Sequence, residues 1–114
     1  MPRPDEILPL ELKAKMDQSA LGGEPVVLLD VREPWEYALA HLPGSTLIPM
    51  DQLPSRLEDL DPDEETVVVC HHGIRSRQVV EWLKGAGFKQ LKNLVGGLDA
   101  WSLQVDASLP RYKG

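Results

Sequence analysis

The stretch TVVVCHHGIRSR, Thr66 to Arg77, holds the only cysteine of the chain and the transition that decides the fold. Four β-favouring residues lead into Cys70, and a glycine-containing turn then opens a polar helical pattern. A short, continuous apolar run bounded by turn residues is how a strand buried on both faces reads. PVVLLD (25–30) reads the same way, so these two segments are expected to be central strands. Working outward, Leu12, Met16 and Ala20 recur every fourth residue, as do Val79 and Leu83 with Val80 beside them, which predicts amphipathic helices over about 10–18 and 75–85. Gly85 and Gly87 supply a stop for the second. TLIPM (46–50) and KNLV (92–95) read as short extended pieces, and LDAWS (98–102) as a brief helix. Alternating strands and helices imply an α/β fold, a parallel sheet with helices on both faces. Ligands bind such sheets beyond the carboxyl ends of the strands. Cys70 falls at one of those ends.

The bulk numbers are compatible with one domain over 1–114. A chain of 114 residues with 42% hydrophobic and 26% charged residues has enough apolar surface for a core without staples. No apolar run approaches the ~18 residues of a membrane span, and MPRPDEILPL lacks the apolar centre of a signal peptide. A lone cysteine forms no internal disulfide, which fits a reducing, cytoplasmic setting. The net charge of −6 argues against nucleic acid as a partner. Within this acidic chain His71, His72, Arg75 and Arg77 stand out as a local cationic patch, although Arg77 by itself reads as a solvated helix residue. The acids of 58–65 read as a turn-rich, solvated connection.

The turn after Cys70 has a specific physical use. A strand that ends at Cys70 and reverses into a helix near Arg75 turns successive backbone N–H groups toward the sulfur. Gly73 can take the left-handed conformation this requires. One hydrogen bond to a charged group contributes roughly 1.5–3 kcal/mol and a helix N-terminus about 0.3–1 more, enough for two amides and the dipole to favour a thiolate without a general base. Free cysteine is more often a small buried hydrophobe than a nucleophile. Here the turn that follows reverses that expectation. A zinc site on Cys70, His71 and His72 is not expected, because consecutive residues rarely converge on one tetrahedral centre and no spaced second pair of ligands is present.

Three motifs, in order, resemble the single-domain rhodaneses, sulfurtransferases that carry sulfur as a cysteine persulfide. LLDVREPWEYALAHLPGSTLIP (28–49) is similar to the first signature of that family, CHHGIRS (70–76) to its active-site loop and NLVGGLDAW (93–101) to its closing signature. The tail VDASLPRY is similar to that of small bacterial members, so the resemblance runs from Ile7 to Tyr112. Ala40 stands where the family commonly has glycine. The resemblance implies a single rhodanese-like domain whose central, mostly parallel sheet has about five strands, and it implies a double displacement. Cys70 attacks the outer sulfur of a small anionic donor such as thiosulfate, and a thiol or protein acceptor removes the sulfur from the resulting persulfide. It implies that the loop formed by His71, His72, Gly73, Ile74, Arg75 and Ser76 binds the substrate, with Arg75 neutralising the anion and bracing the loop. It also implies that Asp30 and Arg32 support the loop, whereas Asp30 by itself reads equally well as a plain turn residue. Protonated His71 and His72 would add positive charge, raising activity below ~6.5. No cofactor, metal or membrane is implied, and the oligomeric state is left open.

Rival readings are separable in principle. A phosphatase or arsenate reductase of similar fold has Cys-x5-Arg, one residue longer than the Cys-x4-Arg from Cys70 to Arg75. A non-enzymatic module would often lack the cysteine. A persulfide carrier with incidental thiosulfate activity would retain it. The glycine pair at 96–97, without a fuller Gly-x-Gly-x-x-Gly pattern, reads as a tight strand-to-helix turn and not a phosphate loop.

Overall fold

The computed structural model describes residues 3–112. In chain order the elements are β1 (Glu6–Ile7), α1 (Pro9–Ala20), β2 (Val27–Asp30), α2 (Pro34–Leu39), β3 (Thr46–Leu47), two 3₁₀ segments (Met50–Ser55 and Leu57–Asp59), β4 (Thr66–Val69), α3 (Ile74–Gly85), β5 (Leu91–Leu94) and α4 (Gly97–Gln104). All five strands pair in parallel, in the order β1-β5-β4-β2-β3. The expected α/β architecture is present. Among the described residues no helix is long and apolar enough to cross a membrane.

The period-2 alternation of β4 builds the two sides of the core. Val68 and Cys70 face one side, with Val79, Val80 and Leu83 of α3. Val67 and Val69 face the other, with Leu12 of α1 and Leu98 and Trp101 of α4. Fully burying one Val contributes roughly 1.5–3 kcal/mol, so this four-residue strand is held by packing on both faces.

The order of the strands also positions the site. From β2 the chain first moves outward to β3, then returns to place β4 on the other side of β2. The reversal opens a crevice between the carboxyl ends of β2 and β4, where such sheets bind ligands. Two elements at this end of the sheet have no counterpart in the sequence reading. Strand β1 has only two residues and exists through its pairing with β5. Helix α2 has six residues, too few for a periodic signal. Its start is set by Pro34 in the first turn and by the Glu36 carboxylate, which accepts the Glu33 N–H at 3.0 Å. Ala40, after α2, has an extended backbone open to any residue.

Candidate active site

Cys70 closes the core at the end of β4, 1% exposed, with its sulfur at the first turn of α3. The Gly73 and Ser76 N–H groups donate to Sγ at 3.1 and 3.4 Å. Both are helix-start amides without intrahelical partners, so the sulfur fills a role an N-cap oxygen usually fills. Gly73 makes this possible by adopting φ 91° at the N-cap. Ser76 Oγ lies 3.2 Å from Sγ and also hydrogen-bonds the Asn93 carboxamide oxygen, while Asn93 Nδ2 donates to the Gly73 carbonyl at 3.2 Å. A hydroxyl has one proton to donate. With that proton on Asn93, Ser76 can accept from a thiol; with it turned toward Sγ, it can stabilise an anion.

Helix α4 buttresses the loop from beneath. The Leu98 and Asp99 N–H groups donate to the Cys70 and His71 carbonyls at 2.9 and 3.0 Å. Gly97 permits this contact: its φ is 62°, and a Cβ there would lie 2.4 Å from the His71 oxygen and 2.5 Å from the Cys70 oxygen. The glycine pair is the tight strand-to-helix turn expected from the sequence.

A chain of polar side chains forms the other wall. Asp30 and Arg32 are a fully buried ion pair, with Arg32 Nη2 2.7 Å from Asp30 Oδ2. The same guanidinium donates to the Ala40 carbonyl at 2.6 Å and to the Tyr112 hydroxyl at 2.7 Å. Tyr112 in turn donates to Glu36 Oε2 at 2.7 Å, and Glu36 takes two hydrogen bonds from Arg75, at 2.7 and 2.9 Å. Asp30 is therefore a structural anchor and not a plain turn residue. Burial alone would raise the Glu36 pKa, but the Arg75 guanidinium, the Glu33 N–H and the Tyr112 hydroxyl outweigh it and hold it at about 2. Tyr112 is pushed up to about 12, chiefly by burial and then by the Glu36 carboxylate. Arg75 is raised by its hydrogen bonds to Glu36. Its charge is thus already matched by a carboxylate, and what the geometry gives it is the bracing of the loop against α2.

The expected cationic patch is largely neutralised. Arg77 is not a solvated helix residue: it donates to both Asp5 oxygens at 2.9 and 3.0 Å and to Glu81 at 3.2 Å. His71 is 2% exposed, and burial followed by repulsion from His72 pushes its pKa down. That direction opposes the expected gain of a second charge near ~6.5. The Tyr112 backbone lies near the His71 ring but outside hydrogen-bond geometry. His72 is half exposed, with Nε2 3.8 Å from Asp99 Oδ2. Asp99 is held below the usual carboxylate range by its hydrogen bonds to Arg111.

Between these walls lies a cleft of about 390 Å³ that reaches Cys70, with His71, His72, Trp35, Ile74 and Arg75 around it. Trp35 and Ile74 form an apolar rim, 58% and 70% exposed. Trp35 meets the Tyr112 ring edge-on, with 5.7 Å between centroids. A depression of about 450 Å³ near Asp5, Lys84 and Phe88 lies at the far end of α3 and has no cysteine in its lining. The loop residues from Cys70 to Ser76 are thus gathered at one place, with Asp30 and Arg32 one step behind them. Glu36, Asn93, Trp35 and Tyr112 were not singled out from sequence. All four lie inside the family-like stretches at 28–49, 93–101 and 105–112, which is the signal the sequence offers for them.

The rhodanese-like domain family matches residues 8–104. The chain is 42% identical over 106 residues to Rhodanese-like/PpiC domain-containing protein 12, chloroplastic, of Arabidopsis thaliana, covering 90% of this chain and 35% of that protein. It is 34% identical to the thiosulfate sulfurtransferase GlpE of Pseudomonas entomophila, over 72% of this chain and 75% of that one. The crystal structure of a rhodanese-like domain protein from Staphylococcus aureus superposes with a TM-score of 0.79 at 36% identity, covering 96% of this chain and 99% of the other. Several curated relatives are much longer, and the chain spans between about a quarter and a half of their length. Fold, cysteine loop and these matches together make the chain a member of the rhodanese-like family of sulfurtransferases and sulfur carriers.

Proposed function

We propose that the domain transfers a sulfane sulfur from a small donor such as thiosulfate to a thiophilic acceptor through a persulfide on Cys70. The observation that carries this reading is the seat of Sγ, which receives two backbone N–H groups at the start of α3 and opens onto the cleft. In the first step the Cys70 thiolate attacks the outer sulfur of thiosulfate. The S–S bond of the donor breaks, its electron pair leaves with sulfite, and a Cys70 persulfide remains. In the second step a thiol acceptor, small or protein-borne, attacks the terminal sulfur and returns Cys70 as thiolate. The two donated N–H groups stabilise the sulfur anion on which both steps depend. The first product leaves before the acceptor reacts, so kinetics should be ping-pong.

The size of the loop supports sulfur over phosphate. The Gly73 carbonyl is tied to Asn93, and the Ser76 amide is already turned onto Sγ, leaving a ring of four residues between Cys70 and Arg75. Such a ring suits one added sulfur better than a phosphoryl group with three oxygens to satisfy. Thiosulfate turnover and aryl phosphate hydrolysis measured on wild type and Cys70→Ser test the reading. The expected result is thiosulfate turnover only in the wild type, with a mass gain of one sulfur atom on Cys70 after exposure to donor. Turnover retained by the folded Ser variant, or efficient aryl phosphate hydrolysis, would overturn it. Sulfur loading without catalytic turnover would favour the carrier reading.

A further inference from the structure

The sulfur chemistry leaves His71 without a task. Its side chain is buried, and neither Nδ1 nor Nε2 has a hydrogen-bond partner among the described residues. A neutral imidazole presents one donor and one acceptor, and leaving them buried and unpaired is costly. Such an orphan calls for a missing partner, and an ion is one of the few that fits. The ring is firmly placed. It stacks on Tyr112 at 4.0 Å between centroids and leans on His72 at 4.1 Å.

Helix α4 brings the third group. The Asp99 N–H that donates to the His71 carbonyl also sets the Asp99 carboxylate beside the two rings. One ligand atom from each of His71, His72 and Asp99 lies within 4.8 Å of the others. Ligands at ~2.0–2.2 Å around a tetrahedral zinc ion stand roughly 3.3 Å apart, so modest rotations of the His72 and Asp99 side chains toward the fixed His71 ring would close the set. We propose that His71, His72 and Asp99 form a binding site for a divalent transition-metal ion of the zinc class, with solvent in the fourth position. Two imidazoles and a carboxylate suit Zn²⁺ and its borderline neighbours, not the oxygen-seeking Ca²⁺ or Mg²⁺. The sequence argued against a metal here because it offered only consecutive ligands. Asp99, 27 positions after His72, supplies the separate direction that a tetrahedral site needs.

Arg111 is the competitor. It donates to both Asp99 oxygens, at 2.8 and 3.2 Å, from an exposed position. An ion drawing on Asp99 must displace or share that pair. His71 directly follows Cys70, so on the sulfurtransferase reading a bound ion would also slow turnover. The binding itself does not rest on that reading.

The test is a Zn²⁺ titration of the untagged, metal-free full chain in competition with a chromophoric chelator, with thermal unfolding of each apo-protein measured in parallel. Wild type should bind one ion per chain, and Cys70→Ser should bind it with unchanged affinity. His72→Ala and Asp99→Asn should each weaken binding about tenfold or more. Arg111→Ala should tighten it about two- to fivefold, the worth of an exposed ion pair, and a gain of that kind cannot come from misfolding. Loss of the ion in Cys70→Ser would mean that the thiol holds it and would overturn the assignment. Equal affinity in all five proteins, or no stoichiometric binding in the wild type, would overturn it as well.

Discussion

Glu36 and Arg75, 39 positions apart, share two hydrogen bonds of 2.7 and 2.9 Å and so clamp the cysteine loop to helix α2. Glu36 is almost fully buried and Arg75 about one-third exposed, so the pair is screened on one side only. Truncating one partner leaves the other charge poorly solvated, a cost that falls away when both are removed. A double-mutant cycle with Glu36→Ala and Arg75→Ala should therefore show strong coupling. Each single variant should lose about 2–3 kcal/mol in urea unfolding, and the double variant clearly less than the sum. Additive losses would show that the two side chains act separately.

The same carboxylate sets an acid limit. Its pKa in the fold, about 2, lies below the ordinary 4.5, so the unfolded chain binds the proton first as pH falls. The contribution is therefore fully present above about 4.5 and is lost as pH drops toward 2. At ~1.36 kcal/mol per unit it amounts to about 3 kcal/mol. Stability measured by urea from pH 6 down to about 2.5 should fall more steeply for wild type than for Glu36→Gln, which has no proton to take up at this position. Parallel curves would show that other carboxylates govern acid unfolding.

Gly97 offers a test of how the loop is supported. Gly97→Ala combines a positive φ with a Cβ only 2.4 Å from the His71 carbonyl oxygen. Gly44→Ala is the control, since Gly44 has φ 77° but nothing within 4 Å of an added Cβ. Strain of this kind costs of order 1–3 kcal/mol, and a backbone clash adds to it. Gly44→Ala should lose about 1 kcal/mol and Gly97→Ala at least about 3, with sulfur transfer impaired only in the latter. Comparable losses at both positions would show that α4 can shift to relieve the contact.

Ser76 connects the sulfur with Asn93, and its hydroxyl proton serves one or the other at a time. In Ser76→Ala the two backbone N–H groups on Sγ remain, and one donor is lost. A hydrogen bond to a charged group contributes roughly 1.5–3 kcal/mol, so single-turnover persulfide formation should slow about tenfold or more. Thermal stability should change little by comparison. An unchanged rate would mean that the hydroxyl stays with Asn93 throughout.

Much of the site is local and was legible in order along the chain. The Val run before Cys70, the left-handed Gly73 and the glycine pair at 96–97 each dictate backbone shape within a few residues. Shape at that range depends on steric preferences that individual residues carry with them. The pairing of charges does not. Arg77 meets Asp5 across 72 positions, and Arg32 meets Tyr112 across 80. The cationic patch read from sequence was a count of side chains, whereas the field at the sulfur depends on which carboxylates the folded chain sets against them. Strand β1 is likewise a product of assembly, two residues that become a strand because β5 offers them an edge. The strand, the turn and the helix that seat Cys70 were legible in the residues alone, because these elements follow from short-range conformational preference. The pairing of Arg75, the burial of His71 with no hydrogen-bond partner among the described residues, and the place of Asp99 beside it came from the folded chain, because electrostatics and burial are set by distances through space and not along the chain.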